Sequence, residues 1–179
     1  MEKETNTLIQ DLQQQKPAAC QKLLTDYGPA VFRMLQRIIT QREDAEEVYQ
    51  DVFVKALRGI KSYNPKQASL STWLSKIAYN ESLNFLRSRK PNIIYMDDRE
   101  LGSDSFEAPD DAPQDEHIIA LLEQALSLLP PHEQAVISMF YYEEKSLADI
   151  AYIIGSIPST VGSQLSRIRK KLYRIIKTL

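Results

Sequence analysis

Residues 146–171 read SLADIAYIIGSIPSTVGSQLSRIRKK. Leu147, Ile150, Ala151 and Ile154 recur at the spacing of one helical face. Gly155 follows, a residue free to take the positive φ that ends a helix. Ser156-Ile157-Pro158 makes a tight connection, and Ser159 or Thr160 is expected to cap the next helix. Val161, Leu165, Ile168 and Leu172 give that helix its own apolar stripe. Two helices joined by a short Gly-containing turn make a helix-turn-helix, whose second helix enters the major groove of DNA. The charge agrees. Arg167, Arg169, Lys170, Lys171, Arg174 and Lys177 occur with no acidic residue between Ile157 and Leu179. Such a helix supplies phosphate neutralisation and donors for base edges.

Long helical periodicities, no alternating runs and only five glycines in 179 residues predict an all-α chain. The net charge of −2 looks wrong for a DNA binder, but it averages unlike segments. Met96 to Glu116 holds nine acidic residues against Arg99 alone, leaving the rest of the chain at about +6. Two helical modules, 1–91 and 116–179, are therefore expected on either side of an acidic flexible linker, 92–115. Cys20 is the single cysteine, which rules out an internal disulfide and points to a reducing compartment. The opening MEKETNTLIQDLQQQK has no apolar signal-peptide core, and no run approaches the ~20 apolar residues of a membrane span. A cytoplasmic protein is expected.

Further upstream, helices are expected from Thr5 to Gln15 and from Pro17 towards Thr40, the second bent or divided at Gly28-Pro29. From Asp44, a third helix carries the wide stripe Ala45, Val48, Tyr49, Val52, Phe53, Ala56, Leu57 and Ile60. Asp44, Glu47 and Asp51 align as an acidic face. They either complement the helix dipole or dock a basic partner, and the residues alone leave both open. The loop from Gly59 to Ser69 offers Tyr63, Asn64 and Lys66. Ser69 or Ser71 then caps a fourth helix with Trp73 on its inner face and Asn80 and Asn84 one turn apart. Further helices are expected around Ile118–Leu129 and His132–Tyr142.

Three blocks, in this order, resemble one family. Asp44-Ala45-Glu46-Glu47-Val48-Tyr49-Gln50-Asp51-Val52-Phe53 is similar to the pattern DAEDLVQDVF. Ser71 to Asn80, followed by Leu86-Arg87, is similar to tWLyrIArN…lR. Leu128-Leu129-Pro130 with Ser146 to Leu172 is similar to sLP…sl.EIA…TV.srLsRaRkkL. Together they resemble the extracytoplasmic-function subfamily of bacterial RNA polymerase sigma factors. The resemblance implies a protein that binds core polymerase, recognises minus-ten and minus-thirty-five promoter elements and assists melting, with no catalytic residue, cofactor or metal. It implies docking on the clamp helices of the largest subunit through Asp44, Glu47, Val48, Gln50, Asp51 and Phe53. For the minus-ten element it implies Tyr63, Asn64, Lys66, Asn80, Asn84, Arg87 and Arg89, with a non-template base held extruded. For the minus-thirty-five element it implies Ser159, Thr160, Ser163, Gln164 and Arg167, with Lys170 and Lys171 gripping phosphates. An anti-sigma factor is a further partner implied by the family.

This chain departs from the pattern in places. Gly162 stands where a basic residue is frequent, Gln164 where an Arg is frequent, and Tyr152 at a commonly acidic position. A plain helix-turn-helix regulator would explain 146–171 but leave the first two blocks as coincidence. A nuclease holding Mg²⁺ on Asp44, Glu47 and Asp51 would need carboxylates on one exposed helical face to converge on a single ion.

Overall fold

The computed structural model describes residues 2–89 and 116–179, and every regular element in them is helical. The order is α1 (Glu2–Gln13), α2 (Pro17–Ile38), α3 (Arg42–Gly59), a 3₁₀ turn (Ile60–Ser62) and α4 (Leu70–Arg89). After the expected acidic linker, which lies outside the described residues, come α5 (Glu116–Ser127), α6 (Pro131–Tyr141), α7 (Leu147–Ile154) and α8 (Pro158–Thr178).

Gly28-Pro29 does not divide the helix, and α2 runs through it. Pro29 costs the helix roughly 3 kcal/mol. The same helix buries Leu23, Val31, Met34, Leu35 and Ile38. At about 1.5–3 kcal/mol for each such side chain, burial wins. Gly28 has a packing reason instead: a Cβ there would collide with the Tyr49 hydroxyl, so glycine lets α2 and α3 approach closely. Tyr49 in turn packs edge-on to Phe32 at 5.7 Å and against Phe53 at 4.8 Å.

Along α3 the inward stripe is Ala45, Val48, Val52, Phe53 and Ala56, as the periodicity predicts. Ser69, rather than Ser71, caps α4: its Oγ accepts the Thr72 N–H at 3.1 Å. Leu70, Leu74 and Ala78 complete the N-terminal core, and Trp73 is half-buried with its ring 5.3 Å from Tyr63.

The same continuous apolar core takes in Ala125 and Leu129, then Ala135, Val136 and Met139 of α6, Ile150 and Ile153 of α7, and Val161, Leu165 and Ile168 of α8. The two helical groups touch, α7 lying against α4 and α6 against α2.

Candidate nucleic-acid interface

The turn between α7 and α8 forms by the local chemistry read from the sequence. Ser146 Oγ accepts the Asp149 N–H at 3.1 Å, capping α7. Gly155 closes it at φ 72°, and the Ser156 N–H returns to the Ala151 carbonyl at 2.8 Å. The start of α8 differs from expectation. Neither Ser159 nor Thr160 caps it; Pro158 sits in its first turn after Ile157, where a missing N–H costs nothing.

Burial of Val161, Leu165, Ile168 and Leu172 turns the opposite side of α8 outward. Ser159, Ser163 and Arg167 are exposed, while Thr160, Gln164 and Lys170 are half-buried. Ser163 already donates to the Ser159 carbonyl at 3.1 Å. Gln164 turns its Oε1 inward, buried and without a partner among the described residues.

Lys171 requires a correction. Its Nζ lies 3.0 Å from Glu133 Oε2, and only 4% of its side chain is exposed. One residue past Lys170, it falls on the inner side of α8, where the α6 carboxylate compensates its charge. It cannot grip phosphate from there.

The acidic face of α3 is similarly selective. Glu47, Gln50 and Asp51 are exposed. Asp44 is half-covered and bonded to Arg89 at 2.7 Å, with Glu47 3.6 Å from the same guanidinium. Val48 and Phe53 were expected at the polymerase surface, but they are 1% and 4% exposed. Both belong to the apolar stripe and hold the helix in place rather than reach a partner. An exposed apolar side chain does lie in the acidic row: Val54, seven residues after Glu47 and 44% exposed. Its position off the stripe was the available signal, and the sequence reading missed it.

In the loop, Asn64 and Lys66 are exposed, and Asn64 Oδ1 accepts the Lys66 N–H at 3.0 Å. Tyr63 is not available for stacking on a base. It is 7% exposed and donates its hydroxyl to the Ala68 carbonyl at 2.9 Å, pinning the loop. Burial, with smaller effects from Tyr27 and Tyr152, raises its phenol above the usual 10.0. On α4, Asn80, Asn84 and Arg87 occupy one exposed face, Arg87 reaching Asn84 Oδ1 at 3.5 Å. Arg89 is exposed too, although held by the α3 acids. The structure therefore joins two polymerase candidates, Asp44 and Glu47, to one DNA candidate, Arg89, through ion pairs.

Residues 23–91 match the family model for sigma-70 region 2, and residues 119–172 match that for sigma-70 region 4. The sigma-E factor of Haemophilus influenzae is 30% identical over 181 residues, which cover 96% of this chain and 95% of the relative. This chain belongs to the extracytoplasmic-function family of RNA polymerase sigma factors. The sigma factor SigW of Bacillus subtilis is 26% identical over 163 residues, 86% of each chain. Among solved structures, Bartonella quintana RpoE in complex with the anti-sigma factor NepR superposes with a TM-score of 0.63 at 25% identity, covering 88% of this chain and 95% of that one. The function is that of the family: this sigma factor brings core RNA polymerase to promoters and directs initiation there. The plain regulator reading has no support, because the region 2 match covers the two blocks that reading leaves unexplained. No helix among the described residues is long and apolar enough to cross a membrane.

Proposed function

We propose that this sigma factor works as two modules, 1–91 and 116–179, joined by the acidic connector 92–115, and that it acts in the cytoplasm without chemistry of its own. The observation that carries the reading is the segregation of exposed charge. Acids and Val54 line one face of α3, amides and Arg87 one face of α4, and Ser159, Ser163 and Arg167 the outer face of α8.

Glu47, Gln50, Asp51 and Val54 dock on the clamp helices of the polymerase largest subunit, a rim of charge around an apolar point. Asn64, Lys66, Asn80, Asn84 and Arg87 take the minus-ten element, where amides can hold an unstacked base by its edge. Ser159, Thr160, Ser163 and Arg167 read the minus-thirty-five element, and Lys170 holds its phosphates. Elements 25 base pairs apart are separated by about 85 Å of duplex. The connector 92–115, at most about 3.3–3.6 Å per residue, together with the breadth of the modules themselves, lets them reach both. An anti-sigma factor is proposed as a further partner.

The test is charge reversal. Glu47→Lys or Asp51→Lys should weaken core polymerase binding at least tenfold while the helical circular dichroism stays unchanged. Undiminished binding would remove α3 from the docking surface. Arg167→Ala should shrink the minus-thirty-five footprint, and an unaltered footprint would place the recognition face elsewhere.

A further inference from the structure

Ile157 is 61% exposed, the most exposed large apolar side chain among the described residues. An exposed isoleucine is ordinary on a protein surface, so exposure alone assigns it nothing. Its place does. It is the last residue before the first turn of α8, the end of a recognition helix that comes closest to base edges. Its backbone is fixed from both sides. The Ile157 carbonyl accepts the Val161 N–H at 3.1 Å, and Val161 is fully buried. Upstream, Gly155 turns the chain at φ 72°, and the Ser156 N–H is bonded to the Ala151 carbonyl at 2.8 Å. The side chain is thus presented at a set position, with little backbone freedom left to lose on binding.

The neighbours of this side chain narrow what it can meet. Pro158, next in the chain, is exposed as well, so the leading end of α8 is apolar. Behind it come the hydroxyls of Ser159 and Ser163 and then the Arg167 guanidinium, all exposed. No acidic residue occurs from Ile157 to Leu179. An apolar point at the front of a basic, hydroxyl-bearing face matches the major groove, where the thymine 5-methyl is the apolar group among donors and acceptors. The longer polar side chains do not serve that end of the helix. Arg167 stands ten residues further on, about 15 Å along α8, and so meets other base pairs. Gln164 has its Oε1 turned inward.

We propose that Ile157 is a specificity-determining residue, which packs against the 5-methyl group of one thymine in the minus-thirty-five element. The proposal rests on the minus-thirty-five assignment above. Ser159, Thr160, Ser163 and Arg167 hydrogen-bond to polar edges and Lys170 holds phosphate, whereas Ile157 reads by shape and desolvation alone. It tells a T·A pair from a C·G pair, because cytosine lacks the methyl and presents an amino group that an isoleucine would bury without a partner.

The test removes the methyl and the side chain in turn. Holoenzyme reconstituted with the full chain is bound to a promoter fragment on which it initiates. Each thymine of the minus-thirty-five element, on either strand, is replaced singly by uracil, which pairs identically but lacks the 5-methyl. Wild type should lose about fourfold in affinity at one position, as the burial of one methyl requires. Ile157→Ala, with an unchanged unfolding midpoint, should bind the thymine promoter at least about fourfold more weakly and no longer distinguish uracil there. Ile157→Val, which keeps a branched apolar side chain, should retain part of the discrimination. Wild type indifferent to uracil at every position, an element without thymine on either strand, or Ile157→Ala with undiminished discrimination overturns the proposal. Footprinting separates this from the underlying assignment: an element left unprotected by wild type defeats the minus-thirty-five reading and the methyl contact together, whereas protection without uracil sensitivity defeats the methyl contact alone.

Discussion

Replacing Glu133 by alanine leaves the Lys171 ammonium stranded inside the C-terminal module. The pair is close, 3.0 Å, and both side chains are nearly closed to solvent, at 10% and 4% exposure. Removing one member of such a pair costs about 3–5 kcal/mol, because the remaining charge keeps its desolvation penalty and loses its compensation. That is a large part of the 5–15 kcal/mol by which a domain is ordinarily stable. With a urea dependence of about 1–3 kcal/mol per molar, the unfolding midpoint should fall by more than about 1 M. The Glu133→Leu/Lys171→Met double variant should recover to within about 1 kcal/mol of wild type, since two apolar side chains need no compensation. Far-ultraviolet circular dichroism during urea titration of wild type, Glu133→Leu, Lys171→Met and the double variant reads the coupling as a double-mutant cycle. Single and double effects that simply add, or a Glu133→Ala cost below about 1 kcal/mol, would refute the buried-pair argument. The cycle also bears on DNA. Lys170→Ala should lower the salt dependence of minus-thirty-five binding by about 0.9 in log–log slope, as loss of one phosphate contact requires, while the double variant leaves it unchanged.

Gly162→Ala should stabilise the chain by about 1 kcal/mol, since the helix interior prefers alanine and the added Cβ would meet only Leu147 Cδ1 at an ordinary 3.9 Å; an unchanged or lower unfolding midpoint would contradict it. At high pH, burial holds the phenols of Tyr27, Tyr49, Tyr63 and Tyr79 above their ordinary value of 10.0. Their neutral forms are favoured in the fold, so this stabilisation is complete below about pH 10 and declines as pH rises through the folded-state values. Phenolate absorbance in the native protein should therefore lag behind that of the urea-unfolded chain, and coincident titrations would contradict the burial. Val54→Asp should weaken core polymerase binding without altering the unfolding midpoint, because the side chain is 44% exposed and outside the core; unimpaired binding would remove it from the docking surface.

Much of the fold is legible because its determinants are local. Gly155, Ser146 and the stripes of α3 and α8 act within a few residues, where periodicity and capping rules operate. The errors in the site arise where local rules end. Lys171 belongs to a basic run, and only Glu133, 38 positions earlier on another helix, makes it internal. Arg89 and Asp44 are 45 positions apart, so their pairing leaves no trace in either neighbourhood. Tyr63 looked like a free aromatic because its bond to the Ala68 carbonyl depends on the loop's path. Val48 and Phe53 differ in kind. They already stood on the apolar stripe, and the family pattern drew them outward against it; the stripe had the correct physics. The contacts between modules, Thr72 with Asp149 across 77 positions, have no sequence signal at all.

Purified sigma factor combined with bacterial core polymerase and fragments of the source genome gives the most direct test of the central claim. Discrete transcription start sites that are absent with core alone, each preceded by a shared pair of elements centred about 10 and 35 base pairs upstream, are the predicted result, with the spacing following from the two-module reach. A protein that binds DNA in the same preparation yet neither joins its cognate core nor creates a start site would contradict it.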